Sequence, residues 1–201
     1  MIGWFDRQQG SWPGDAHRTR WLRTASQVAL DRTETDGSDV VMDLGCGEGA
    51  LLSAMGAHVR AGVGVDLSPA ALALARLHLR DQPHLRVEAG DVRDPPLVDG
   101  LTTVLAAHVL RYLDPAERGA LFRLLHARLP PDGLLVVADL IWSMPPDQVD
   151  GVDGWLDPAH EYVLLHDTLR DDLQQAGFST RSERLHPAIA VVRALKPGTP
   201  R

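Results

Sequence analysis

The sequence predicts an α/β fold, a parallel sheet covered by helices on both faces. Two observations carry this reading. Five short apolar runs alternate with stretches of helical periodicity, and such alternation builds parallel strands joined by crossover helices. Three of those runs close on an aspartate, Asp43, Asp66 or Asp91, at the carboxyl edge where ligands of such sheets bind.

Each element has its own signal. Between Asp15 and Leu30, Trp21, Leu22, Ala25, Val28 and Ala29 recur at helical spacing. Thr33 to Asp39 is a polar turn, and Val40 to Leu44 reads as a short buried strand running into Gly45-Cys46-Gly47-Glu48-Gly49. A helix is expected over Ala50 to Ala57 and a second strand over Val59 to Val65, closing on Asp66. Ser68-Pro69 opens the next helix, with Ser as N-cap and Pro in the first turn, running from Ala70 to Arg80. Leu85 to Ala89 and Leu101 to Ala106 are the third and fourth strands. Pro115 to Leu129 is an amphipathic helix stopped by Pro130-Pro131-Asp132-Gly133, and Leu134 to Ala138 is the fifth strand. After an irregular stretch from Asp139 to His160, a last helix, Asp167 to Ala176, stops at Gly177, and Phe178 to Leu185 pairs with Ala188 to Leu195.

The bulk numbers narrow the function. A length of 201 residues suits one domain, and 44% hydrophobic residues are enough for a core. No run approaches the roughly 20 apolar residues of a membrane span, and no apolar signal segment opens the chain. The single cysteine, Cys46, fits a reducing compartment. These features predict a cytoplasmic protein, a monomer or homodimer, with no membrane partner. A net charge of −7 with scattered arginines argues against a nucleic-acid partner and leaves a small-molecule substrate.

The residues that carry chemistry collect at the strand ends. The glycines of the first turn let the backbone approach a ligand closely. The GxGxG spacing differs from the GxGxxG of nicotinamide enzymes. Asp66, 23 residues after Asp43, is placed to accept from ribose hydroxyls, and Asp91 from an adenine amino group while Val92 packs beside the ring.

With these residues the chain resembles the class I S-adenosylmethionine-dependent methyltransferases. VVMDLGCGEGALL resembles their first motif, GVGVDLSPAAL the second, EAGDVRD the third and LTTVLAAHVLRYL the fourth. Thr102-Thr103 stand where members often carry an aspartate, and the (N/D)PP(Y/F) signature of amino-directed nucleic-acid methylases is missing. The resemblance implies a Rossmann-like seven-stranded sheet, mostly parallel with an antiparallel last strand. It implies S-adenosylmethionine as cofactor and S-adenosylhomocysteine as product. Asp43 and the Gly45, Cys46, Gly47 turn would hold the methionine end, Asp66 and Leu67 the ribose side, Asp91 and Val92 the adenine, with Ala107 beside them. Within the domain, residues 1–35 form a helical lid, 36–138 the cofactor core, 139–166 a substrate-side segment and 167–195 the closing helix and hairpin.

His108, directly after the fourth strand, is the candidate proton acceptor, since imidazole titrates near neutral pH; capping or lining the pocket is the competing role. Tyr112, Trp142 and Trp155 are candidate acceptor-pocket residues, and Trp12 is the aromatic expected to close over the cofactor, favouring the cationic sulfonium. His160-Glu161 and His166-Asp167 lack a third ligand, so no metal site is expected. Methyl transfer to a small molecule is the expected function. The alternative is a rearrangement or cyclisation that uses the bound cofactor as a positive charge.

Overall fold

The computed structural model describes residues 16–198. Among these, seven strands form one sheet in the order β3-β2-β1-β4-β5-β7-β6. Strands β1 (Val40–Leu44), β2 (Ala61–Asp66), β3 (Leu85–Ala89), β4 (Thr103–Ala107) and β5 (Leu134–Asp139) are mutually parallel. Strand β7 (Ile189–Leu195) runs antiparallel to both neighbours, β5 and β6 (Ser179–His186). The described helices are α1 (Ala16–Thr33), α2 (Ala50–Met55), α3 (Pro69–His78), α4 (Pro115–Arg128) and α5 (His166–Gln175).

Successive side chains of a strand point to opposite faces, and here both faces are covered. Met42, Leu44, Val104, Ala106, Leu135 and Val137 pack with Leu121, Phe122, Leu125 of α4 and Leu169, Leu173 of α5. The intervening Val41, Leu105, Val136 and Ala138 pack with Leu22, Ala25, Ala29 of α1 and Leu52, Met55 of α2. Every residue of β1, β4 and β5 is therefore buried, as expected of strands covered on both faces.

The element ends have local causes. Ser68 caps α3 by accepting from Ala71 N at 3.1 Å. Asp114 caps α4 in a reciprocal box: Glu117 N donates to Asp114 Oδ1 (2.8 Å) and Asp114 N to Glu117 Oε2 (2.9 Å). Gly177, at φ 104°, ends α5 where a side chain would be strained. Some ends differ from the sequence reading. Helix α2 stops at Met55 and continues as a 3₁₀ turn, Gly56–His58, which packs so closely on Gln82 and Leu85 that an added Cβ at Gly56 would collide with Gln82 Oε1 and sit 2.9 Å from Leu85 Cδ1. Strand β4 begins at Thr103, two residues later than expected; just before it Thr102 donates through its backbone N–H to Val40 O (2.9 Å) and through its hydroxyl to Asp39 (2.6 Å). Strand β5 takes in Asp139, which pairs with Ala190.

The chain builds β1, β2 and β3 outward in one direction and then returns to lay β4 on the other side of β1. A crevice opens at such a reversal, outside the carboxyl ends of the strands. Helix α1 crosses above it, resting on β4, β5 and β7. No described helix is long and apolar enough to cross a membrane.

Candidate active site

The crevice is a cavity of about 530 Å³, within the range of ligand pockets. Its floor is the turn after β1. Gly45 and Cys46 both donate through backbone N–H to Val65 O (2.8 and 3.1 Å), which folds the turn against β2. Gly45, Gly47 and Gly49 hold φ of 69°, 52° and 77°, a region costly to residues with a Cβ. Two of them also face packed neighbours: a Cβ on Gly45 would lie 2.7 Å from Val109 Cγ2, and one on Gly49 3.2 Å from Ala75 Cβ. Gly47 differs, because a Cβ there would meet nothing within 4 Å. Gly47 lines the cavity, so its missing side chain leaves the ligand access to bare backbone.

The strand-end carboxylates stand around this floor. Asp66 accepts from Gly47 N and Ser68 N, both at 2.8 Å, so it fixes the glycine turn while facing the cavity. Asp91 accepts from Arg93 N (2.9 Å) and from Arg93 Nη1 at both oxygens (3.1 and 2.9 Å). Leu67, Val92 and Ala107 supply apolar wall between them, and His108 and Tyr112 border the far side. These expected site residues thus meet in one cavity.

Others do not reach it. Asp43 is 2% exposed and off the cavity wall, beneath the turn. Burial, and then the charge of Asp66, push its carboxyl up to about 8, opposed by a hydrogen bond from the Leu52 backbone. Its place under the turn corrects the expectation of a ligand contact: it supports α2 from within the protein. Trp142 and Trp155 are each 1% exposed and pack in the core formed with α1, β5 and β7 rather than on the wall. The irregular segment buries them because Trp142 bridges to Leu165, donating through N–H to Leu164 O and accepting from His166 N, both 2.8 Å. Trp12 lies outside the described residues. Cys46 is 8% exposed, and burial raises its thiol far above the usual range, so it is a packing residue of the turn.

His108 stands at φ 60° with its N–H on Ala138 O at 2.7 Å. Its Nε2 is 3.1 Å from Leu22 O and 2.8 Å from Ser26 Oγ, and the Ser26 hydroxyl donates to the same Leu22 carbonyl at 3.1 Å. A carbonyl only accepts, so Nε2 carries the proton in this arrangement. Burial depresses the imidazole to about 4, opposed by the charge of Asp139. The ring is therefore neutral at pH 7 and tied to the roof.

Sequence reading expected a helical lid over residues 1–35 but assigned none of the side chains of α1 to the cavity. Thr19, Leu22, Arg23 and Ser26 of α1 line the cavity. It also missed the ionic clasp that holds the roof in place. Glu161 Oε1 accepts from Arg18 Nη2 (3.2 Å) and Arg111 Nε (2.8 Å), while Arg111 Nη1 pairs with Asp139. Asp139 Oδ2 in turn accepts Leu110 N (3.0 Å) and Arg111 N (3.3 Å), shaping the turn that carries His108 and Tyr112. Asp139 was the available signal, a fourth carboxylate at a strand end. His160 turns instead to Asp157 (2.9 Å) and His166 to Ser182 Oγ (2.8 Å).

Known proteins resemble this chain in sequence and in fold. Residues 41–133 match the methyltransferase domain family. Carboxy-S-adenosyl-L-methionine synthase of Chromohalobacter salexigens is 32% identical over 167 residues, 69% of this chain and 61% of that protein. The chain thus spans less than two thirds of that relative. Among solved structures, a chain of the complex between the Haloferax volcanii Trm112 methyltransferase activator and a methyltransferase superposes with a TM-score of 0.76 at 19% identity, covering 96% of this chain and 97% of that one. Geranyl diphosphate C-methyltransferase of Streptomyces coelicolor, solved with S-adenosyl-L-homocysteine, gives 0.73 at 14% identity, over 93% and 86%. At these identities the structures speak to the fold.

Proposed function

Because the chain belongs to the class I, Rossmann-like S-adenosylmethionine-dependent methyltransferases, we propose that it transfers a methyl group from S-adenosylmethionine to a small molecule. One observation carries the reading: Asp66, Asp91 and the bare backbone of Gly47 face a single cavity of about 530 Å³. Asp66 would take the ribose hydroxyls, Asp91 the adenine amino group, and the Gly45–Gly47 turn the methionine end. Leu67, Val92 and Ala107 would enclose the ring. The chemistry supports this reading, since carboxylates accept hydrogen bonds and a nucleoside offers donors at its ribose hydroxyls and its amino group.

The cofactor supplies a methyl group on a good leaving group. The protein's task is then to align the acceptor and exclude water, and the α1 roof suits both. Tyr112 and the apolar Val109 and Leu113 of the far wall would face the acceptor. For His108 the geometry favours holding the roof, since its Nε2 is engaged with α1 and burial keeps it neutral. We read the protein as cytoplasmic, on its single cysteine.

The test is calorimetric titration with S-adenosylhomocysteine, followed by release of that product from S-adenosylmethionine across a panel of small acceptors. Absence of binding at millimolar ligand would refute the reading. The similarity to carboxy-S-adenosyl-L-methionine synthase favours one second reading, in which the same site remodels the cofactor itself. A modified cofactor in place of S-adenosylhomocysteine among the products would identify it.

A further inference from the structure

Asp91 does not stand alone at the end of β3. Its Oδ1 accepts two hydrogen bonds, from Arg93 N (2.9 Å) and Arg93 Nη1 (3.1 Å). Its Oδ2 accepts one, from the same Nη1 (2.9 Å). The other side of the guanidinium is held too, as Arg93 Nε donates to Glu117 Oε1 at 2.6 Å. Glu117 is itself immobilised as the third residue of α4, in the reciprocal cap with Asp114. A line of fixed contacts therefore runs from the N-terminus of α4 through Glu117 and Arg93 to Asp91, and both Asp91 and Arg93 line the cavity.

The consequence is a matter of counting acceptors. A carboxylate oxygen has two lone pairs. Those of Oδ1 are both used by Arg93, which leaves one site on Oδ2. With its rotation fixed, Asp91 presents a single acceptor to the cavity and no donor. Such a site welcomes a purine bearing an amino group at carbon 6. It repels one bearing a carbonyl there, because two acceptors would meet with no proton between them.

We propose that Arg93 is the positioning residue that makes Asp91 selective for a 6-amino purine over a 6-oxo purine. This rests on the reading of Asp91 as the adenine contact. Arg93, which lines the cavity beside Asp91, does this by fixing the rotation of the carboxylate. Freed from Arg93, the carboxylate is still an acceptor, but it turns and holds water between itself and the base. A water molecule donates to a carbonyl as readily as it accepts from an amino group, so most of the selectivity is lost.

The experiment uses two probes that differ only at carbon 6, S-adenosylhomocysteine and S-inosylhomocysteine, titrated calorimetrically into wild type and variants. Wild type should prefer the adenine form by at least about tenfold, the scale of one hydrogen bond to a charged group. Arg93→Ala should bring the ratio below about threefold, and Glu117→Gln should give an intermediate ratio. A merely structural role for Arg93 would weaken both ligands together and leave the ratio unchanged. Asp91→Asn adds a gain-of-function arm. Arg93 would hold the amide oxygen at the Oδ1 position and turn the amide nitrogen to the cavity, so preference should invert toward the 6-oxo base. In Asp91→Asn with Arg93→Ala the inversion should vanish. An unchanged ratio in Arg93→Ala, with wild type discriminating, overturns this proposal alone. Wild type binding neither probe overturns the cofactor reading and this proposal with it. Melting curves identify any variant that does not fold, and the Glu117→Gln arm still decides the matter.

Discussion

Ser26 Oγ of helix α1 lies 2.8 Å from His108 Nε2, so the roof of the cavity is fastened to the residue that follows β4. Loss of this tie should loosen the acceptor side of the pocket more than the chemistry. For His108→Ala we expect the acceptor KM to rise by up to about tenfold, from hydrogen bonds of about 0.5–1.5 kcal/mol each, with kcat changed far less. Wild-type rate should also stay level as pH falls from 7 to 5, because burial depresses the imidazole to about 4. An acidic limb near pH 6.5 that vanishes in His108→Ala would instead make His108 the base.

Gly45 and Gly47 share a left-handed backbone but not the same surroundings. Gly45→Ala meets Val109 Cγ2 at 2.7 Å, so packing strain adds to the conformational cost of about 1–2 kcal/mol, and the melting temperature should fall clearly. Gly47→Ala carries only that conformational cost, yet its methyl enters the cavity. Its melting temperature should fall less, while titration with S-adenosylhomocysteine should show the larger loss of affinity. Equal effects of the two substitutions on both readouts would contradict this division.

Asp66 has two tasks, and a variant should reveal both. Asp66→Ala removes the acceptor for Gly47 N and Ser68 N, each at 2.8 Å. Stability should fall by about 1–3 kcal/mol, the cost of unsatisfied donors. Cofactor affinity should drop by about 1.5–3 kcal/mol, the range for hydrogen bonds to a charged group. Urea unfolding and calorimetry separate the two. Wild-type affinity in this variant would remove Asp66 from the ribose site.

Two buried groups give stability opposite pH slopes. The Asp43 carboxyl is raised to about 8, so the native state holds its proton more tightly than the unfolded chain. Its contribution is complete below the unfolded value near 4 and is lost as pH rises toward 8. The His108 imidazole is lowered to about 4, so the unfolded chain binds the proton better between there and about 6.5, and stability rises with pH across that interval. The slopes oppose each other up to about 6.5, and above it Asp43 acts alone. Urea melts should therefore show stability declining from about pH 6.5 to 8, and Asp43→Asn should flatten that decline. A decline that persists unchanged in Asp43→Asn would assign it elsewhere.

The clasp offers the strongest stability effect. Glu161 is shared by Arg18 and Arg111, with side-chain exposures of 2%, 7% and 0%. Glu161→Gln leaves a buried guanidinium short of its counter-charge, a change that costs about 3–5 kcal/mol. A melting temperature close to wild type would mean that the charge of Glu161 contributes little to holding Arg18 and Arg111 in place.

These residues also mark where sequence was legible. Strands β1 and β3 were readable to the residue, as were the Ser68 cap and the stop at Gly177, because each follows from local rules of pattern and backbone conformation. Asp66 and Asp91 were readable because a strand end fixes where a side chain points. Trp142 and Trp155 were not, since an irregular segment has no period from which to assign a buried face. Glu161 and Arg18, 143 positions apart, have no local signal joining them.

Helix α1 roofs a cavity whose floor lies on β1, yet it rests on β4, β5 and β7. An element made early must therefore wait for strands made late, including the one that pairs with β5 only after the hairpin has turned. Closing so long a loop is slow. A growing chain can carry its complete glycine turn and strand-end carboxylates for some time without a closed site. Competence to bind should then arrive late and abruptly, when β7 docks and gives the first helix a surface on which to settle.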